Sequence, residues 1–251
     1  SNNTGFRDVA RRFTTEAYAL HIDNNGITIS GASPLGVWWG TRSLIQAAVV
    51  SKHDLPQGSA IDAPGWGTRG VMVSPPHTTY NQHLTDKLDA GRHYYPPDFL
   101  IEMCSYLSFF KQNVFHLHLS DNLYNNVDLY STQESMDLYA AFRPWSDDPA
   151  VSGLNRRANE SYTRSQFDRI QRQCARRGVT IIPEIEAPGH ALAIVQWRPE
   201  LGLTDLSMLN ISHPDTIPTM KSIWKTFLPW FHSKTVHLGA DEYSSSYVSD
   251  Y

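Results

Sequence analysis

The chain has 251 residues, 41% hydrophobic and 18% charged, with a formal net charge of −4. This is ordinary globular composition, and its slightly acidic balance offers no field for polyanions, so nucleic acid is not an expected partner. No run approaches the roughly 18 apolar residues of a membrane span, and the length suits one large α/β domain, or a small domain followed by part of a large one.

The opening SNNTG carries neither an initiator Met nor an apolar export segment, so the chain reads as a processed or excised form. Sequons at Asn2, Asn159 and Asn210 permit a secreted, glycosylated protein. Residues 17–22 (AYALHI) and 27–30 (ITIS) alternate in hydrophobicity on either side of Asn24-Asn25-Gly26, which predicts a β-hairpin. Residues 36–50 then show a helical apolar face. Residues 52–67, rich in Pro, Gly, Asp and Ser, read as a link to a second domain.

From Arg69 onward short apolar runs alternate with amphipathic ones. Strands are predicted at 69–73, 113–119, 179–185 and 235–238, and helices at 99–110, 163–177 and 219–231. Four β-then-α repeats imply parallel strands with right-handed crossovers. An eight-stranded barrel typically needs about 250 residues, more than follows the link. The expectation is therefore a small α+β domain over 1–64 and, over 65–251, an incomplete TIM-type (β/α) barrel of about four parallel strands. A soluble, cooperatively melting monomer of these residues would count against incompleteness. Cys104 and Cys174 fall in the predicted helices and read as buried free thiols.

The chemistry concentrates in TVHLGADEY, residues 235–243. Asp241 and Glu242 follow a short apolar strand, and strand carboxyl ends are where such folds carry their chemistry. Neighbouring acids are too close to be the opposed pair of the usual glycosidase, which flank the sugar at about 5–5.5 Å or 6.5–9.5 Å. They can share one side of a substrate, one as acid and one holding a substrate group.

HLGADE (residues 237–242) resembles the HxGGDE signature of glycoside hydrolase family 20, the β-N-acetylhexosaminidases. Arg69-Gly70, KQNVFHLHLSDN (111–122) and PEIEAPGH (183–190) resemble three further motifs of that family, in order and spacing, and residues 16–46 resemble its small domain ahead of the barrel. The resemblance implies hydrolysis of terminal β-N-acetylhexosamine residues by a substrate-assisted mechanism, the exception that this family makes to the two-carboxylate scheme. It implies Glu242 as general acid and then base, and Asp241 as the residue orienting the substrate's 2-acetamido group. Arg69 would bind sugar hydroxyls, Asp121 would support the pair, and His190, with Glu186 behind it, would form a relay toward Glu242. No metal or other cofactor is implied. The partners are oligosaccharides ending in N-acetylglucosamine or N-acetylgalactosamine, and the location is secreted or in a lysosome- or vacuole-like compartment.

Four departures stand out. The family has Asp where Glu186 stands, Gly where Ala240 stands and usually Asp where Asn122 stands. Its first strand motif is interrupted here by residues 74–87, an inserted loop or an unspliced intron that a transcript would distinguish. The family's later strands, with the Trp walls of its acetamide pocket, are not in this sequence, so little or no activity is expected of the chain alone. Two other readings compete. A metal-dependent amidohydrolase could use His116, His118, His190, His237 and Asp241, although its HxH belongs on a first strand. A non-catalytic sugar-binding remnant is favoured by Ala240.

Overall fold

The computed structural model describes residues 7–8, 10–52, 54–73 and 89–243. In chain order the elements are β1 (Tyr18–Asp23), β2 (Gly26–Gly31), α1 (Pro34–Val50), β3 (Gly58–Asp62), β4 (Gly70–Val73), α2 (Pro97–Phe109), β5 (Val114–His118), β6 (Ser120–Asn122), α3 (Thr132–Asp137), β7 (Ala140–Phe142), α4 (Arg164–Ala175), β8 (Thr180–Glu184), α5 (Leu192–Trp197) and α6 (Thr216–Phe227). So far as they are described, Ser1–Gly70, Glu102–Val114 and Cys174–Thr180 form one compact unit, and Val71–Ile101, Phe115–Gln173 and Ile181–Tyr251 form another. The interrupting segment 74–87 lies outside the described residues.

In the first unit the hairpin forms as its alternation predicts. Asp23 Oδ1 accepts the N–H groups of Asn25 and Gly26 at 2.8 and 3.1 Å, and Gly26 takes φ 135°, a value that favours glycine. The supposed link is partly a strand: β3 pairs antiparallel with β1, Leu20 opposite Ala60, giving the order β2-β1-β3. Residues 58–62 are exposed along their length, so the apolar pattern that announces a strand is missing there. Helix α1 starts at the N-cap Ser33, whose hydroxyl accepts from Leu35 and Gly36. Trp39, on its inner face, donates from Nε1 to Glu16 at 2.7 Å.

Cys104 and Cys174 form a disulfide with a Cα–Cα distance of 5.2 Å, not the two free thiols expected. Each cysteine is buried in its own helix, which looks the same in sequence whether or not the two sulfurs meet. The bond sits among other ties of this unit, Trp38 Nε1 to Ser108 Oγ at 2.9 Å and Ser108 Oγ to the Arg177 carbonyl at 2.7 Å.

Strands β4, β5 and β8 form a three-stranded sheet in that order. Residues 235–238, expected as a fourth strand, contribute one parallel bridge between Glu184 and His237, with His237 N donating to Pro183 O at 3.0 Å. The reason follows immediately in the chain: Gly239 and Ala240 take φ 74° and 73°, leaving the strand region. Phe115, Leu117, Phe167, Ile170, Ile181, Ile185 and Phe227 make up much of the second unit's core, each 3% exposed or less.

Two short strands went unread in the sequence. Ser120–Asn122 and Ala140–Phe142 pair antiparallel as β6 and β7, Asp121 opposite Ala141. They hold Asp121 against the core. Arg143, immediately after β7, is wholly buried and donates to the carbonyls of Ala90, Gly91 and Glu160. It thereby fixes the segment that carries Arg92.

Candidate active site

The site lies in the second unit, where several strand ends and loops meet. Asp121, on β6, is its hub. Oδ2 lies 2.8 Å from His118 Nε2 and 3.2 Å from Arg92, and Oδ1 lies 3.1 Å from His190 Nδ1 while accepting the Asn122 N–H at 2.6 Å. The other nitrogen of His190, Nε2, is 3.4 Å from Glu242 Oε2. Carboxylate, imidazole and carboxylate thus form one line from a buried strand to a carboxyl group that is 58% exposed.

The charges in that line follow from its surroundings. Burial disfavours a charged His118, but carboxylates on both its nitrogens, Asp121 and Glu184, outweigh this and raise its pKa to about 10. Burial also penalises the Asp121 carboxylate, yet hydrogen bonds from His118 and His190 hold it down at about 2. His190 rises above its ordinary value, burial being outweighed by its hydrogen bond to Asp121. Glu184 is lowered despite burial by its neighbouring histidines.

Glu186 is not behind His190. That place is Asp121's, and Glu186 instead lies beneath the acid pair, its Oε1 accepting the N–H groups of Ala240 and Asp241 at 2.7 and 3.1 Å. Two successive main-chain N–H groups on one oxygen fix the backbone from which both acids project. Burial first, and then the charges of Glu184 and Asp241, push Glu186 up to about 8 against those hydrogen bonds. Glycines make the close approach possible. A Cβ on Gly239 would overlap the Glu186 carboxylate, and one on Gly189 would overlap the Asp241 carbonyl oxygen. Asp241 itself is exposed.

The remaining expected residues fall as follows. Arg69 belongs to the first unit, where it ion-pairs with Glu16 and donates to the carbonyls of Lys111 and Trp66. Three of its N–H groups are thereby used in holding chain segments together. Asn122, in the place of a family Asp, accepts the Leu192 N–H at 3.1 Å and ties down the start of α5. Of the histidines weighed as metal ligands, His116 and His237 meet with ring centroids 4.6 Å apart, both beside Glu184. His190 and Asp241 are not members of that group. Arg92 and Glu184 were not singled out in the sequence, although Glu184 lies inside a motif quoted for the resemblance. Arg92 donates from Nε to Asn122 O at 2.8 Å and pairs with Asp89 at 3.3 Å.

A sheet flanked by helices, with acids and histidines gathered beside its strands, makes this a mixed α/β protein of the enzyme type. Comparison with known proteins makes this specific. Residues 82–250 match the description "Glycosyl hydrolase family 20, catalytic domain" and residues 3–63 match "Glycosyl hydrolase family 20, domain 2". The chain belongs to glycosyl hydrolase family 20. It is 26% identical to a beta-hexosaminidase of Vibrio furnissii over 243 residues, which cover 90% of the chain and 37% of that protein. To a beta-hexosaminidase of Porphyromonas gingivalis it is 28% identical over 203 residues, covering 77% and 23% respectively. Among solved structures, the Flavobacterium johnsoniae chitobiase superposes with a TM-score of 0.71 at 24% identity, covering 93% of this chain and 33% of that one. The β-N-acetylhexosaminidase of Bacteroides fragilis gives 0.70 at 22%, covering 97% and 47%. The chain thus spans less than half the length of each of these relatives.

Proposed function

We infer that these residues supply the acid pair of a retaining β-N-acetylhexosaminidase. The observation that carries the reading is the contact of His190 with both Asp121 and Glu242. In the proposed cycle Glu242 gives its proton to the glycosidic oxygen as the bond from that oxygen to the anomeric carbon breaks. The carbonyl oxygen of the 2-acetamido group forms the new bond to that carbon, and Asp241 takes the amide N–H and stabilises the charge left on the resulting oxazolinium. Water then attacks the same carbon, Glu242 recovering a proton from it, and the ring opens to the sugar with its configuration retained.

The barrel of which β4, β5 and β8 form part is proposed to be incomplete in these 251 residues. With Asp241 and Glu242 both exposed, the pair works in water instead of the dry, preorganised surroundings that make such charges effective. The chain alone is therefore expected to turn over weakly. Arg69 remains a candidate for sugar hydroxyls on the family resemblance, with its unused N–H groups. The disulfide supports an oxidising compartment, secreted or lysosome-like. Among the described residues no helix is long and apolar enough to cross a membrane.

The test is hydrolysis of a chromogenic N-acetyl-β-glucosaminide by this chain and by a form extended to the length of its relatives. Glu242→Gln and Asp241→Asn in the extended form should each lower kcat by about 10²–10⁴-fold. A Glu242→Gln enzyme with undiminished kcat overturns the assignment. The non-catalytic reading is favoured by the exposure of the pair; it predicts sugar binding without turnover in both forms.

A further inference from the structure

A cavity of about 380 Å³ in the second unit is lined by none of the residues assigned to hydrolysis. Its apolar surface comes from the rings of Tyr94 and Trp145, and its polar surface from the amides of Asn159 and Gln166 and the hydroxyls of Ser161 and Thr163. No charged side chain is among those lining it.

The protein holds these walls in place by itself. Tyr94 lies against the buried Tyr162, ring centroids 5.3 Å apart, and the Trp145 N–H donates to the Tyr162 carbonyl at 2.9 Å. Arg143, which donates to the carbonyls of Ala90, Gly91 and Glu160, ties together the segments that carry Tyr94, Trp145 and Asn159. Thr163 and Gln166 cap the start of α4 reciprocally: Gln166 Oε1 accepts the Thr163 N–H at 2.8 Å, and Thr163 Oγ1 accepts the Gln166 N–H at 3.3 Å. Polar groups are left over. Among the described residues, none hydrogen-bonds the Asn159 amide, Gln166 Nε2 or the Tyr94 hydroxyl.

These walls select a chemistry. An ion would enter without a counter-charge, and a purely apolar ligand would strip water from amides that it cannot bond. A neutral pyranose suits both surfaces, its C–H face covering an aromatic ring while its hydroxyl and acetamido groups meet amides that donate and accept. The volume is also that of a small-molecule pocket. We propose that this cavity is a second saccharide site, taking one neutral N-acetylhexosamine unit of an oligosaccharide. The kind of sugar rests on the proposed function, whereas its class, a neutral pyranose, rests on the cavity alone. Tyr94 stands two residues beyond Arg92, which pairs with Asp121 at 3.2 Å, so one short segment contributes to both sites.

The experiment uses the 251-residue chain carrying Glu242→Gln, made in a host that does not glycosylate, so that the Asn159 sequon stays bare. A β-1,4-linked trimer of N-acetylglucosamine is added while the tryptophan indole N–H resonances are followed by NMR, that of Trp145 being identified by its loss in Trp145→Phe. The expected result is a saturable shift of that resonance, with a Kd of about 1 mM or below. Asn159→Ala, which breaks no hydrogen bond to a described residue, should weaken binding by about 2–10-fold. A Trp145 resonance unmoved at about 10 mM trimer, undiminished binding in Asn159→Ala, or equally tight binding of adenosine, whose flat base would mark a slot for ring stacking alone, overturns the proposal. Hydrolysis of the chromogenic N-acetyl-β-glucosaminide by the extended form is read separately. A Trp145 shift without hydrolysis supports this site and overturns the glycosidase reading, and hydrolysis without the shift does the reverse.

Discussion

Asp121 grips His190 at 3.1 Å through Oδ1, and the same imidazole reaches Glu242 at 3.4 Å from its other nitrogen. Their pairing sets a pH window for stability. Asp121, at about 2 instead of its ordinary 3.8, contributes stability that is present above pH 3.8 and lost as the pH falls through about 2. His190 is raised above 6.5, so its contribution is complete below pH 6.5 and is lost at higher pH, through its folded value. Asp121→Asn should remove roughly 2 kcal/mol at neutral pH, and both edges should flatten. Urea midpoints across the pH range would show this; a variant with wild-type midpoints and slopes would separate Asp121 from His190.

Glu186 acts through the main chain, so its charge matters less than its acceptor oxygen. Glu186→Gln keeps a carbonyl for the Ala240 and Asp241 N–H groups, whereas Glu186→Ala strands two partly buried donors at a cost of about 1–3 kcal/mol. The alanine variant should therefore lose stability in chemical denaturation, and in an extended form lose kcat, while the glutamine variant stays close to wild type. Equal losses in the two would place the effect in the charge instead.

Much of this architecture is written in local pattern. The hairpin of residues 18–31 is legible because Asn24-Asn25-Gly26 supplies a turn between two alternating runs, and α1 because residues 36–50 carry an apolar face at helical spacing. The acid pair and His190 are legible through short motifs. What could not be read depends on partners distant in the chain. β6 and β7 are three residues each and owe their existence to one another. The disulfide joins cysteines 70 residues apart. Glu186 was expected behind His190, and its actual place depends on the left-handed turn at Gly239 and Ala240, which brings the N–H groups of Ala240 and Asp241 onto its carboxylate.

That turn yields a prediction of opposite signs at adjacent positions. Ala240 holds φ 73°, a conformation that costs an L residue roughly 1–2 kcal/mol. Ala240→Gly should recover about 1 kcal/mol of this, the glycine's greater freedom when unfolded offsetting part. Gly239→Ala should cost about 2–3 kcal/mol, from its own φ of 74° and from overlap with the Glu186 carboxylate. Thermal melts of the two variants beside wild type test the signs; stabilisation by Gly239→Ala would rule out the close approach.

The Cys104–Cys174 bond closes a long loop, its ends 70 residues apart in sequence. On chain-entropy grounds, confining a loop of that size in the unfolded state stabilises the fold by about 4 kcal/mol at most, with 2–4 typical. Because both sulfurs are buried among Ser108, Trp38 and Arg177 contacts, reduction should follow unfolding and not precede it. A Cys104→Ser, Cys174→Ser double variant is expected to melt well below the oxidised wild type, and thiol reductant should lower the wild-type midpoint toward that of the variant while leaving the variant unmoved. Quantitative thiol titration of denatured, unreduced protein supplies the complementary reading: no free thiol is expected, and two per chain would mean that the bond does not form.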